Sequence, residues 1–245
     1  MQINIALAEQ VRQGDVDRFT ATMAAPVAAR GVLFTLAALN LEWARLSVVS
    51  ENSIIVAMRL QWWRDIVDGR TPPNGDAAVA MVQMLDAGQA DPAVFHQMID
   101  ARGQDLDFAG AADLWAYLDT TAGALSEAAA IATGAGDARA AMRAVGAATG
   151  LANWFLAAPV FAAQGAPWLP PGSDVPSLST RGLTDLKLRQ DLPAAAFPAS
   201  LWSIYARPVL RRAAQAPERV LASDLRPAEV QKRAALLWRA VRGRW

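Results

Sequence analysis

Apolar residues in this chain recur every three or four positions and seldom alternate, which is the spacing of helices that bury one face. The clearest case runs from about Ser50 to Asp68. There "SENS" offers capping residues, Ile54, Ile55, Met58, Trp62, Ile66 and Val67 fall on one stripe, and "DGRTPPNG" ends the helix. Trp62 is expected in the core, with Arg59 and Trp63 on the flank. The same reading predicts helices over about Ala28 to Ser47, Asp76 to Ala87, Pro92 to Gln104, Ala111 to Ile131 and Asp137 to Phe161. The proline-rich stretches Gly165 to Ser177 and Asp191 to Pro198 read as loops, with a last pair of helices after them. Neither loop is long or polar enough for a domain linker. Residues 1–245 are therefore expected to form one domain, an all-α helical bundle.

From Ala144 to Ser173 no residue is charged, a length at which a membrane-spanning helix has to be considered. Gly146, Thr149, Gly150, Asn153 and Pro159 make the stretch much less greasy than a typical span, so a helix enclosed by others is expected. Gly146 and Gly150 would let a neighbour approach the backbone closely. A second feature is "LAALNLEWARLS", Leu36 to Ser47. Asn40 shares a face with Leu36, Trp43 and Ser47, flanked by Glu42 and Arg45, so a carboxamide stands in an otherwise mostly apolar stripe.

Composition narrows the chemistry. With 245 residues, 53% of them hydrophobic, the chain can bury one sizeable core. The absence of cysteine excludes disulfides, thiolate metal sites and cysteine nucleophiles, and the only histidine, His96, builds no multi-histidine metal site. His96 is expected in an ordinary surface or capping role. The first residues lack the features of a secretory signal, which predicts a cytoplasmic protein. Formal net charge is zero, but residues 206–245 carry ten Lys or Arg against Glu218, Asp224 and Glu229. Within this basic segment Val230, Ala234, Leu237, Val241 and Trp245 share one face, while Lys232, Arg233, Arg239 and Arg242 lie largely elsewhere. A basic amphipathic helix of this kind lies on anionic lipid, docks on an acidic partner, or closes the bundle; closing the bundle is the simplest expectation. Nucleic acid is not among the expected partners.

Several stretches together resemble the squalene and phytoene synthase family. "DRFTATMAAPVAARGVLFTLAALNLEWAR", "RLQWWRDIVDG", "MIDARGQDLDF", "LWAYLDTTAGALSEAAA" and "GAATGLANWFLAAP" follow in that family's order, ahead of "WLP" at Trp168 to Pro170. The likeness covers about Asp15 to Arg212. It implies an isoprenoid-synthase-like bundle with a central cavity. The enzymes of the family join two prenyl diphosphates, using aspartate-rich patches on facing helices to hold Mg²⁺, which helps the diphosphate depart. Here the resemblance puts Ala44, Arg45 and Val48 at the first patch, and Ala157 and Phe161 at the second. No shift of alignment restores the second patch, because that stretch holds no acid. Asp65, Asp68, Asp100, Asp105 and Asp107 are the available substitutes, and are expected to be solvated or capping groups instead.

"ALNLEWAR", "RLQWW" and "GLANWFLAAP" are most similar to the branch containing the mitochondrial complex I assembly factor with a phytoene-synthase-like domain. That likeness implies a catalytically silent protein, cytoplasmic or peripheral to a membrane, that helps assemble a respiratory complex and needs no cofactor. The alternatives are a prenyl transferase of isoprenoid or carotenoid biosynthesis, which would need Mg²⁺, and a carrier of an isoprenoid or lipid. No catalytic residue and no metal ligand is assigned. Arg30, Arg59 and Arg64 either pair with Glu42 or meet an anionic ligand. Together with Asn40, Arg45, Trp63, Asn153 and Trp154 these form the candidate cavity or anion-binding set.

Overall fold

A computed structural model of the chain describes residues 1–49, 53–104 and 106–243. The helix start at Ser50, Asp105 and the apolar Trp245 therefore lie outside the described residues, as does the side chain of Val48. Among the described residues every regular element is helical. In chain order these are α1 (Ile5–Gly14), α2 (Val16–Ala24), α3 (Val27–Val49), α4 (Ser53–Val67), α5 (Asp76–Asp86), α6 (Pro92–Ala101) and α7 (Ala111–Leu118). There follow α8 (Ala124–Ala132), α9 (Arg139–Ala163), α10 (Val175–Asp185), α11 (Phe197–Ser200), α12 (Ala206–Gln215) and α13 (Glu229–Arg242).

Helix starts are written in side chains that accept from free backbone N–H groups. Asn4 Oδ1 accepts from Ala6 N at 2.9 Å, and Asp15 Oδ1 does the same for Arg18 N at 2.9 Å. Asp91 precedes Pro92 at the start of α6 and accepts from Ala93 N at 2.9 Å. The expected loop Gly165 to Ser177 is shorter than its prolines suggested. Asp174 caps α10 through Ser177 N at 2.7 Å, and Pro176 sits in the first turn, where its missing N–H removes no helical hydrogen bond.

Two long helices organise the interior. Helix α3 is enclosed along much of its length, with Leu33, Phe34, Leu36, Ala37, Ala38, Leu39 and Trp43 all buried. Helix α9 is the counterpart, and its uncharged stretch is packed inside the protein through Leu151, Trp154 and Phe155. By length and hydropathy Val27–Leu46 and Gly136–Ala163 match the dimensions of a membrane span, yet 56% of each such window is buried in the fold. The glycines of α9 work as expected. A Cβ on Gly146 would fall 2.5 Å from the Ala122 carbonyl oxygen, and one on Gly150 would fall 2.7 Å from the Ala122 methyl.

The helix expected from Ala111 to Ile131 is one rod with an interruption. Residues Asp119–Gly123 form a single π turn between α7 and α8. Thr120 Oγ1 and Thr121 Oγ1 donate to the Ala116 and Tyr117 carbonyls at 2.9 and 2.6 Å, taking up backbone acceptors where the ladder widens.

On α4 the expected face holds at Ile66 and Val67 and departs before them. On α4 the buried side chains are Leu60, Trp63, Ile66 and Val67, whereas Ile54 and Met58 are each 68% exposed. Trp63 is the core residue of the pair. It packs edge-on against Trp43 at 5.7 Å between ring centroids, and Trp62 lies half-buried over it at 4.9 Å.

A candidate ligand cavity with an arginine seat

Between α3, the α7–α8 rod, α9 and α12 lies a cavity of about 850 Å³, closed on one side by α2 and α13. Asn40, Leu41 and Ala44 face it from α3, and Asn153, Trp154, Ala157 and Phe161 face it from α9. Tyr117, Leu118 and Leu125 complete an apolar wall, in which the Trp154 ring lies 4.8 Å from Phe161 and 6.2 Å from Tyr117. Trp154 is fixed by its Nε1, which donates to the Trp168 carbonyl at 2.6 Å within the "WLP" segment. Of the positions that the family resemblance matched to cation ligands, Ala44, Ala157 and Phe161 face this space and present methyl and phenyl groups, while Arg45 does not line it.

Into this largely apolar chamber the turn after α6 sends Arg102. Its guanidinium donates to Asn40 Oδ1 at 2.9 Å and to the Tyr117 hydroxyl at 3.1 Å. Both acceptors are neutral, and among the described residues no carboxylate pairs with Arg102. A half-buried cation held by neutral groups keeps most of its charge available to an incoming anion.

The carboxylates facing the cavity are committed elsewhere. Asp15 caps α2 and pairs with Arg18 at 2.8 Å. Asp17 holds Lys232 at 2.5 Å and Arg226 at 3.2 Å, and Glu229 also binds Lys232 at 2.5 Å. Burial works against the Lys232 charge, but the hydrogen bonds to Asp17 and Glu229 outweigh it and raise the ammonium above its ordinary range. Burial, then Asp17 and Glu229, hold the Tyr205 phenol above its usual value. Among the described residues no group of three or more His, Asp or Glu side chains is arranged to hold a metal ion. Magnesium of the kind the family uses therefore does not fit this donor set, since both oxygens of Asp15 and of Asp17 already face a cation or a backbone N–H and Glu229 is engaged by Lys232.

The remaining candidates scatter. Arg30 Nε donates to the Ala25 carbonyl at 2.9 Å and fixes the turn into α3. Glu42 accepts from Gln10 Nε2 at 2.6 Å, so neither Arg30, Arg59 nor Arg64 is its partner. Arg64 instead pairs with Asp100 at 2.6 Å, while Arg45 and Arg59 are exposed outside the cavity. Trp63 is in the core, away from the lining. Only Asn40, Asn153 and Trp154 of the predicted set line the chamber. Asp65 and Asp68 both meet Arg70, Asp68 also meets His96 Nε2 at 2.8 Å, and neither faces the cavity. Arg102 was the residue missed. Its signal lay in "MIDAR", where Met98 and Ile99 are buried and helical spacing carries the same face on to residue 102.

A single-domain, all-helical fold around an apolar chamber with a polar rim is the class these observations define. The squalene/phytoene synthase family model matches residues 11–228, and the chain belongs to that family. The fold is similar to a dehydrosqualene synthase solved in complex with a ligand, at a TM-score of 0.74 and 15% identity over 97% of this chain and 95% of that one. It is also similar to the squalene synthase HpnC from Alicyclobacillus acidocaldarius, at a TM-score of 0.64 and 12% identity over 97% of this chain and 93% of that one. Among curated proteins none matches this sequence.

Proposed function

We propose that this family member binds an amphiphile with a single anionic group, an isoprenoid or lipid, without ionising it, and serves as a binding or assembly factor rather than a prenyl transferase. The observation that carries the reading is the exchange of charge inside the cavity. Alanine and phenylalanine stand at three of the matched cation-ligand positions, and Arg102, seated on Asn40 and Tyr117, offers a direct partner for an anion. A guanidinium neutralises a phosphate or carboxylate well, but it supplies no divalent charge to drive diphosphate departure. The resemblance of "ALNLEWAR" and "GLANWFLAAP" to the complex I assembly factor supports a respiratory membrane complex as the partner. The prenyl transferase reading draws on the synthases this fold is similar to.

Two measurements separate these readings. Purified protein incubated with Mg²⁺ and farnesyl or geranylgeranyl diphosphate is expected to release no pyrophosphate; Mg²⁺-dependent release sinks the proposal. Farnesyl monophosphate is expected to bind without metal, and Arg102→Leu to weaken that binding about ten- to a hundred-fold through loss of a charged hydrogen bond. A deletion strain with normal, fully assembled membrane NADH:quinone activity would remove the assembly role while leaving the ligand site standing.

A further inference from the structure

Helix α13 is docked back to front for a bundle helix. At about 100° per residue, Val230, Ala234, Leu237 and Val241 form one stripe, with Trp238 at its edge and Lys232, Leu236 and Arg239 opposite. The expectation that the apolar face closes the bundle is overturned. Lys232 and Leu236 are the buried residues of the helix, while Val230 is 78%, Leu237 68%, Trp238 57% and Val241 85% exposed. What holds α13 to the body is Lys232 on Asp17, with its Nζ 5.3 Å from the centre of the Tyr205 ring, and Leu236 in the core; Glu229, on the same helix, steadies the ammonium. Just ahead of the helix Arg226 also reaches Asp17 at 3.2 Å.

We infer that the outward face of α13 is a docking surface for an anionic lipid bilayer. The stripe is bordered by cations on both sides, Arg233 on one and Arg242 on the other, both exposed. Arg242 lies 4.1 Å from the Trp238 ring centre, pairing an amphipathic aromatic with a cation as an interfacial anchor requires. An anionic surface complements the exposed Arg233 and Arg242 that border the stripe. A second copy of the chain would not, because pairing two such stripes sets arginines against arginines. The surface is also a ridge rather than a groove: with its inner side resting on the body, the helix can sink its apolar stripe into a headgroup layer without unfolding.

The position of the helix gives docking a consequence. Glu229 and Lys232 line the cavity from the inner side of α13, so a bilayer on the outer side brings the cavity rim to the lipid surface. This inference stands whatever the cavity holds.

Flotation of the full chain with phosphatidylcholine vesicles, with and without phosphatidylglycerol, tests it. Co-flotation is expected with the anionic vesicles, falling as NaCl is added. Arg233→Gln combined with Arg242→Gln is expected to weaken binding on the order of tenfold. Leu237→Glu with Val241→Glu is expected to abolish it with an unchanged thermal melt, since both side chains are exposed. Absence of co-flotation at low salt, equal binding to neutral vesicles, or full binding by the glutamate variant overturns the proposal. So does light scattering that finds a dimer dissolved by those glutamates.

Discussion

Glu127 illustrates how one buried charge is made tolerable in this fold. Its side chain is 4% exposed and accepts from Arg139 Nε and from Arg143 Nη1, each at 2.6 Å. Arg143 extends the cluster to Asp119 in the π turn at 2.7 Å and to Gln97 on α6 at 2.9 Å. Hydrogen bonds to Glu127 raise the Arg139 guanidinium, and those to Glu127 and Asp119 overcome the burial that opposes the Arg143 charge. Glu127→Gln leaves two arginines facing a neutral group, and is expected to lower unfolding free energy by about 3 kcal/mol in urea titration. None of this pairing was visible in the sequence, because Glu127, Arg139 and Gln97 come from separate segments. Arg102 escaped for the same reason, since Asn40 lies 62 residues from it.

At the level of elements, helices were legible wherever an apolar face recurred at helical spacing, as in α5, α6 and α9, and of these only α6 starts on a side-chain cap, Asp91. The reading held for Ile66 and Val67 of α4 but failed at its start, where Ile54 and Met58 are hydrophobes facing water and the buried face runs through Leu60 and Trp63. Periodicity weighs how apolar a side chain is, whereas burial is decided by which neighbours the helix meets. The π turn was also hidden, because a lone glycine, Gly123 in "LDTTAG", does not signal a widened turn; Thr120 and Thr121 accommodate it through their hydroxyls. Tight packing at Gly146 was foreseeable, and its cost can be stated. Gly146→Ala would push a methyl against the Ala122 carbonyl and the Ser126 side chain, both at 2.5 Å. The helix propensity gain of alanine, about 1 kcal/mol, does not offset the clash. A net loss of about 1–3 kcal/mol is expected in denaturant unfolding.

For the whole molecule, composition and spacing indicated the all-α single domain, and the ordered family stretches indicated the cavity. The rim of that cavity was not legible, because Asp17 and Lys232 meet across 215 residues of chain. Lys232 also gives the closure a pH signature. Its ammonium is raised in the fold, so the stabilisation it contributes is complete below about pH 10.4, the free-lysine value, and is lost as pH climbs through the higher folded-state value. The melting temperature is expected to fall on that alkaline side, and to fall less in Lys232→Met, which differential scanning calorimetry would resolve.

The close approach at Gly146 and Gly150 has one more implication. With α9 pressed onto the rod at Ala122, that wall of the chamber cannot yield, because no slack separates the two backbones. A bulkier guest therefore finds room only by displacing the opposite, salt-latched side, so the breadth of the acceptable occupant is gauged by a single movable jaw.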